Sequence, residues 1–309
     1  MSWARTLLLK MSQSHWLRER APQYSFVKRG VARFMPGDKA EDAFGAVREL
    51  NAKGIGCVLT ALGENVTERA EAEAETAHYE DVLGQIWVQR LPAEISVKLT
   101  HLGLDLDREF CFANLSRLIG CSPSGKTVWI DMEQSSYVDA TLELYRRARE
   151  QDADVGVCVQ AYLRRTEDDL RKLVPLGGAI RLVKGAYNEP EDVAFPQKRD
   201  VDENYFRLTQ LLLGDEARSA GLRCAIATHD TRLIARIQAW AAANGLQKSQ
   251  LEFQMLYGIQ RAEQLRLAAE GCRSVVLVAY GKYWFPWYMR RLAERPANVW
   301  FLARNLFSS

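Results

Sequence analysis

The run REFCFANLSRLIGCSPSGKTVWIDME, residues 108 to 133, admits two readings, and the choice between them decides the fold. Inside it GCSPSGKT, residues 120 to 127, fits the nucleotide-binding pattern G-x-x-x-x-G-K-[ST] at every position. A phosphate loop of that kind turns its backbone N–H groups toward phosphates only when a strand precedes it and a helix follows. Here REFCFANLSRLI reads as a helix and TVWIDME as a strand, so the order is helix, loop, strand. That reversal argues against a nucleotide hydrolase. The motif is instead a bend, with Gly120 at the helix end and Ser122 to Gly125 making the turn.

Working outward from this strand, short apolar runs rich in Val and Ile recur along the chain. Upstream are GIGCVLTAL (54 to 62) and ISVKLT (95 to 100). Downstream are VGVCVQAY (155 to 162), AIRLVKGAY (179 to 187), RCAIATHD (223 to 230), LEFQML (251 to 256) and SVVLVAYG (274 to 281). Runs that are apolar almost throughout fit strands buried on both faces of a parallel sheet. Helical segments such as DATLELYRRAREQD and DTRLIARIQAWAAANG separate them, several opening at Asp or Thr and closing at Gly. Strand and helix alternating eight times predict an α/β fold, a distorted (β/α)8 TIM-type barrel, with a doubly wound sheet as the alternative. No linker interrupts the array, so residues 1–45 read as an N-terminal helical extension and 46–309 as the catalytic barrel.

The composition is that of a globular protein: 48% hydrophobic, 26% charged, with a net charge of +2. Nothing in it suggests nucleic-acid binding. The six cysteines are scattered and read as reduced, buried thiols. No leader or spanning segment is evident, so a cytoplasmic location is expected. Of the four histidines only His229 lies at an expected strand end, and no metal-ligand spacing occurs.

Active sites of such barrels gather at the C-terminal ends of the strands. Polar groups recur in these otherwise apolar runs: Lys98, Asp131, Glu133, Gln160, Tyr162, Arg181, Lys184, Thr228, His229, Glu252 and Gln254. Burying an unpaired charge costs several kcal/mol, so a ring of such groups marks a site. Beyond the last run, YMRRLAERP (288 to 296) sets Arg290 and Arg291 on a helix, as a solvated face paired with Glu294 or as a clamp for a carboxylate.

Taken in order, SVKLT, IDME, VQAY, IRLVKGAY, ATHD, EFQMLYGI and YMRRLAERP resemble the proline dehydrogenase family, over about residues 50 to 305. The length resembles the monofunctional bacterial form. The resemblance implies a barrel that binds FAD, oxidises L-proline to Δ1-pyrroline-5-carboxylate by hydride transfer to flavin N5, and passes electrons to a membrane quinone. It implies Arg181 near N5 and Gln160 at the isoalloxazine, with Met132, Lys184, Gly185, Ala186, Thr228 and His229 lining the cofactor. Lys98, Arg290 and Arg291 are implied for the substrate carboxylate, with Tyr187 and Glu294 completing the pocket. Asp131 reads as an active-site group that keeps Lys98 charged and aimed. Leu277 stands where the family pattern has a tyrosine and Ala279 where it has a proline, which raises hydroxyproline as an alternative substrate. Quinone reduction implies peripheral contact with the inner face of the plasma membrane, through TLLLKMSQSHWL or VWFLARNLF.

Overall fold

The structure is a computed structural model that describes residues 31–63, 65–151, 154–285 and 288–289. Among them, eight parallel strands close into a barrel in chain order, each paired with its sequence neighbour and the first with the last. They are β1 (Gly56–Ala61), β2 (Ala93–Val97), β3 (Val128–Ile130), β4 (Val155–Gln160), β5 (Ala179–Val183), β6 (Arg223–Ala227), β7 (Glu252–Leu256) and β8 (Arg273–Tyr280). The barrel reading therefore holds over the doubly wound alternative.

Helix α1 (Ala40–Asn51) leads into β1, and α2 (Arg69–Val88), α3 (Arg108–Cys121) and α4 (Val138–Arg149) return the chain after the first three strands. They are followed by α5 (Thr166–Leu173), α6 (Lys198–Leu212), α7 (Asp215–Ser219), α8 (Thr231–Ala243) and α9 (Arg261–Ala269). α1 runs through the expected division at residue 45. Asp107 caps α3 by accepting from the Phe110 N–H at 2.7 Å, and Asp230 caps α8 through the Leu233 N–H at 3.4 Å, each satisfying a first-turn donor. The helices bury one face each; α4 turns Val138, Leu142, Tyr145 and Ala148 inward.

The turn inside GCSPSGKT is helix, loop, strand as expected, but Gly120 does not end the helix. α3 runs to Cys121, and the left-handed residue is Gly125, φ 74°. Ser122 Oγ closes the bend by donating to the Lys126 carbonyl at 2.9 Å. Cys121 is exposed here, against the expectation of buried thiols, while the other five are buried and free.

Side chains alternate between the lumen and the helix layer with period two. The main core lies between strands and helices, built on residues such as Leu59, Ile95, Ile130, Val157, Leu182, Ile226, Phe253 and Val276. Inside the barrel a second, small cluster of Val58, Trp129, Ala179, Ala225 and Val275 fills the lumen, with Leu277 packed on it. Trp129 occupies so much of this space that its β4 neighbour must be glycine: a Cβ on Gly156 would lie 2.5 Å from the indole ring. Below that layer, at the N-terminal mouth, Arg223 binds Glu94 (2.6 Å) and Glu252 (2.8 Å), and the Trp129 indole N–H donates to Glu94 at 2.8 Å.

Candidate active site

The C-terminal mouth is organised around Arg181. Its position in mid β5 faces the lumen, and its guanidinium rises over the Trp129 ring at 4.4 Å from the centroid. Nη1 donates to Asp131 Oδ1 at 2.8 Å and to Ser96 Oγ at 3.0 Å, and Nε donates to Gln254 Oε1 at 2.7 Å. Ser96 Oγ in turn donates to Asp131 Oδ1 at 2.7 Å. The residue is 3% exposed, yet Nη2, itself buried, has no hydrogen-bond partner among the described residues.

Gln160, last residue of β4, is the counterpart. Its Nε2 donates to the Glu133 carbonyl at 3.1 Å, which fixes the amide orientation and leaves the buried Oε1 without a donor among the described residues. Arg181 Nη2 and Gln160 Oε1 are thus a buried donor and a buried acceptor at this mouth without partners among the described residues, an arrangement that costs a few kcal/mol unless a bound molecule satisfies it. Glu133 is held out of the way, accepting from the Thr100 N–H and hydroxyl at 3.2 and 2.8 Å.

Asp131 does not pair with Lys98 as expected from sequence. The structure ties it to Arg181 and Ser96, because residues of matching parity on β2, β3 and β5 meet in the lumen. Lys98 follows β2 directly and is half-buried, and its charge acts on Glu75 of α2. Burial pushes the Glu75 carboxyl up to about 7, with Lys98 pulling the other way, and His101 Nδ1 lies 3.4 Å from it.

After β5 the chain turns sharply at Gly185, φ 108°, where a Cβ would sit 2.1 Å from the Tyr162 ring. Only glycine permits that approach. Lys184 bridges Asp202 of α6 (2.5 Å) and Asp230 (2.9 Å), with Lys198 joining both acids, rather than reaching into the lumen. Asp230 is desolvated, but hydrogen bonds from Lys184 and Lys198 hold its carboxyl at about 2. Ala186 and Tyr187 follow, both half-buried.

On the β6 side Thr228 is buried and accepts from the Asp230 N–H at 3.2 Å. His229 Nε2 accepts from the Leu256 N–H at 2.9 Å, so the ring proton resides on Nδ1. Met132 is buried in the main core. Leu277 stands in the lumen on the apolar layer. Arg290, Arg291 and Glu294 lie outside the described residues, as do TLLLKMSQSHWL and VWFLARNLF.

Two polar groups read from the sequence as C-terminal prove to be elsewhere. Glu252 is the first residue of β7 and belongs to the opposite mouth, and Gln254 lies between the two. Two more were missed entirely: Glu94, second in β2, and Arg223, first in β6, complete the basal ion cluster. Period-two parity would have found them, since Glu94, Ser96 and Lys98 share one face.

A family model described as proline dehydrogenase matches residues 43–304. The chain is 38% identical over 303 residues to proline dehydrogenase 1 of Bacillus subtilis, covering 98% of both. It is 38% identical over 283 residues to the proline dehydrogenase of Deinococcus radiodurans, covering 89% of both. Of solved structures, proline utilization A from Bdellovibrio bacteriovorus, inactivated by N-propargylglycine, superposes with a TM-score of 0.81 at 23% identity, over 99% of this chain and 38% of that one. Proline utilization A from Corynebacterium freiburgense gives 0.73 at 21%, over 97% of this chain and 33% of that one. The chain spans well under half of either protein, and the likeness to them is one of fold.

Proposed function

The chain belongs to the proline dehydrogenase family and is an oxidoreductase acting on the CH–NH group of proline, and from that premise we propose that it works with FAD bound at the C-terminal mouth of the barrel. The observation that carries this is the pair of buried groups in want of partners, Arg181 Nη2 and Gln160 Oε1. A flavin ring edge, which alternates acceptors and an N–H donor, matches that donor and acceptor in kind. Gly185, Ala186, Thr228 and His229 border the same mouth and are proposed to hold the rest of the cofactor, with Met132 behind Asp131. Lys184 contributes by fixing the Gly185 turn to α6 and α8.

FAD supplies the acceptor for the hydride that leaves the ring carbon beside the proline nitrogen. The chain's part is to bind, orient and neutralise. Lys98, with Arg290 and Arg291, is proposed to hold the substrate carboxylate, which fixes the ring in one pose and removes orientational entropy from the reaction. Tyr187, Leu277 and Glu294 complete the pocket. The amine must lose its proton before the C=N bond can form, so the site is expected to favour the neutral amine. The Arg181 guanidinium, held in place by Asp131, is placed to stabilise negative charge that accumulates beside it. The apolar layer under it, Val58, Trp129 and Leu277, keeps water from entering through the lumen.

The hydroxyproline alternative finds no support among the relatives, which are named for proline. We propose a membrane quinone as the final acceptor, met by peripheral contact of this cytoplasmic protein with the inner face of the plasma membrane. No helix among the described residues is long and apolar enough to cross a bilayer. The deciding experiment is optical. The purified protein should be yellow with flavin absorbance that bleaches anaerobically on adding L-proline; a colourless protein that FAD cannot reconstitute overturns the cofactor assignment. Co-sedimentation with vesicles of bacterial lipid tests the membrane contact.

A further inference from the structure

The contacts of Arg181 continue below the site. Gln254 Oε1 accepts from Arg181 Nε at 2.7 Å, while its own Nε2 donates to Glu252 Oε1 at 2.7 Å. Glu252 in turn binds Arg223 (2.8 Å) and Arg273 (3.3 Å), and Arg223 binds Glu94. A side-chain amide presents an acceptor at one end and a donor at the other, and the two ends here face opposite charges. The carboxylate below accepts only a donor, so the amide's oxygen must face upward, toward Arg181. The basal ion cluster thereby sets which way Gln254 points.

Trp129 fixes the remaining freedom. Its ring lies between two guanidinia, Arg181 at 4.4 Å and Arg223 at 5.1 Å, and its N–H is bound to Glu94. Gly156 leaves room for the ring, where a Cβ would lie 2.5 Å from it. Arg181 is therefore held on its Nε edge by Gln254, on Nη1 by Asp131 and Ser96, and on one face by Trp129. Among the described residues, Nη2 has no hydrogen-bond partner in this cradle.

We propose that Gln254 is a positioning residue for the reaction: oriented by Glu252 at the far mouth, it locks the Arg181 guanidinium so that Nη2 stays presented to the cofactor. This rests on the FAD reading given above. A fixed positive charge aimed at a group that gains electrons favours its reduced form, and a charge free to swing favours it less. The basal cluster, remote from the chemistry, then tunes the redox equilibrium through one amide.

The test uses the holoenzyme and the midpoint potential of its bound flavin, read by dye equilibration. Gln254→Met keeps the volume and removes both polar ends. It should shift the midpoint to more negative values by the equivalent of about tenfold in the reduction equilibrium, ~30 mV for a two-electron couple. Anaerobic reduction by proline should slow about tenfold, with KM unchanged. Glu252→Gln, which no longer dictates the amide's direction, should shift the potential the same way, and the double variant no further than the larger single change, since both act through one contact. A potential and reduction rate equal to wild type in Gln254→Met, or independent additive shifts in the double variant, overturn the proposal. If Gln254→Met does not fold, Glu252→Gln alone decides by the same two readouts. A wild-type protein without flavin would instead dispose of the cofactor reading itself.

Discussion

Arg181 Nη1 and Asp131 Oδ1 stand 2.8 Å apart at the C-terminal mouth, a contact between side chains 50 residues apart in sequence. The guanidinium is buried and the carboxylate only partly so. Replacing Asp131 by Asn removes the charge-assisted part of this bond, worth about 1.5–3 kcal/mol. If the pair holds Arg181 for the reaction, kcat/KM for proline should fall about 10- to 100-fold, with the effect in kcat. Steady-state kinetics with an artificial acceptor would show it, and an unchanged kcat would remove Asp131 from the machinery.

Arg223 should matter first to stability, since Glu252 still accepts from the Gln254 amide without it. Changing it to Leu leaves Glu94 and Glu252 facing each other across the basal mouth, and breaking a buried pair in this way costs about 3–5 kcal/mol. For a chain of this size the melting temperature should drop on the order of 10 °C. Calorimetry of the variant at neutral pH is the check; a drop of less than a few degrees would mean that solvent relieves the two acids.

The same cluster has a pH signature. Burial pushes the Glu94 carboxyl up, but hydrogen bonds and charge from Arg223, helped by Trp129, outweigh it and hold the group below its ordinary value of 4.5. A depressed carboxyl stabilises the fold fully above its unfolded value and loses that contribution as pH falls through the native one. Wild type should therefore lose stability below about pH 4.5 more steeply than Arg223→Leu, in urea titrations run across that range.

Glu75 predicts the opposite slope. Its native value of about 7 lies above its ordinary 4.5, so the folded state keeps a proton that the unfolded chain releases in between. Stability should fall as pH rises through this window, by up to about 3 kcal/mol, in surroundings that include Lys98, His101 and Tyr79. Glu75→Gln should flatten that slope and be the more stable protein above pH 7. Parallel curves for the two proteins would count against a buried, protonated Glu75.

Gly185→Ala combines a strained φ with a Cβ driven into the Tyr162 ring. About 2 kcal/mol or more should be lost, since left-handed strain and overpacking each cost 1–3 kcal/mol. Tyr162→Leu should recover part of it in the double variant, whereas strain alone would not be recovered. Melting temperatures of the four proteins separate these outcomes.

The eight strands were legible because each is a short apolar run buried on both faces. So was the ring of polar residues at the C-terminal mouth, since an ionisable group in such a run needs a reason to be there. What was not legible is who meets whom. A buried Lys98 in need of a counter-charge points to Asp131, yet the lumen brings Arg181 to that carboxylate from two strands away. Pairing across a barrel depends on stagger, which no local pattern encodes. Glu94 and Arg223 sit at strand starts, where the rule for barrel active sites points away from them, and the N-terminal mouth carries its own set of charges. The bend at GCSPSGKT shows the converse: a strong local motif lost to its flanking elements.

The ring closes where β1 meets β8, with Val58 opposite Leu277. Those strands lie roughly 220 residues apart along the chain, a long loop to close and a high contact order for one step. During synthesis, which proceeds from the N-terminus, seven strands can form before the last has been made. The lumen that holds Trp129 and Arg181 stays unsealed until β8 arrives, so synthesis must pass Tyr280 before the ring that frames that mouth can close.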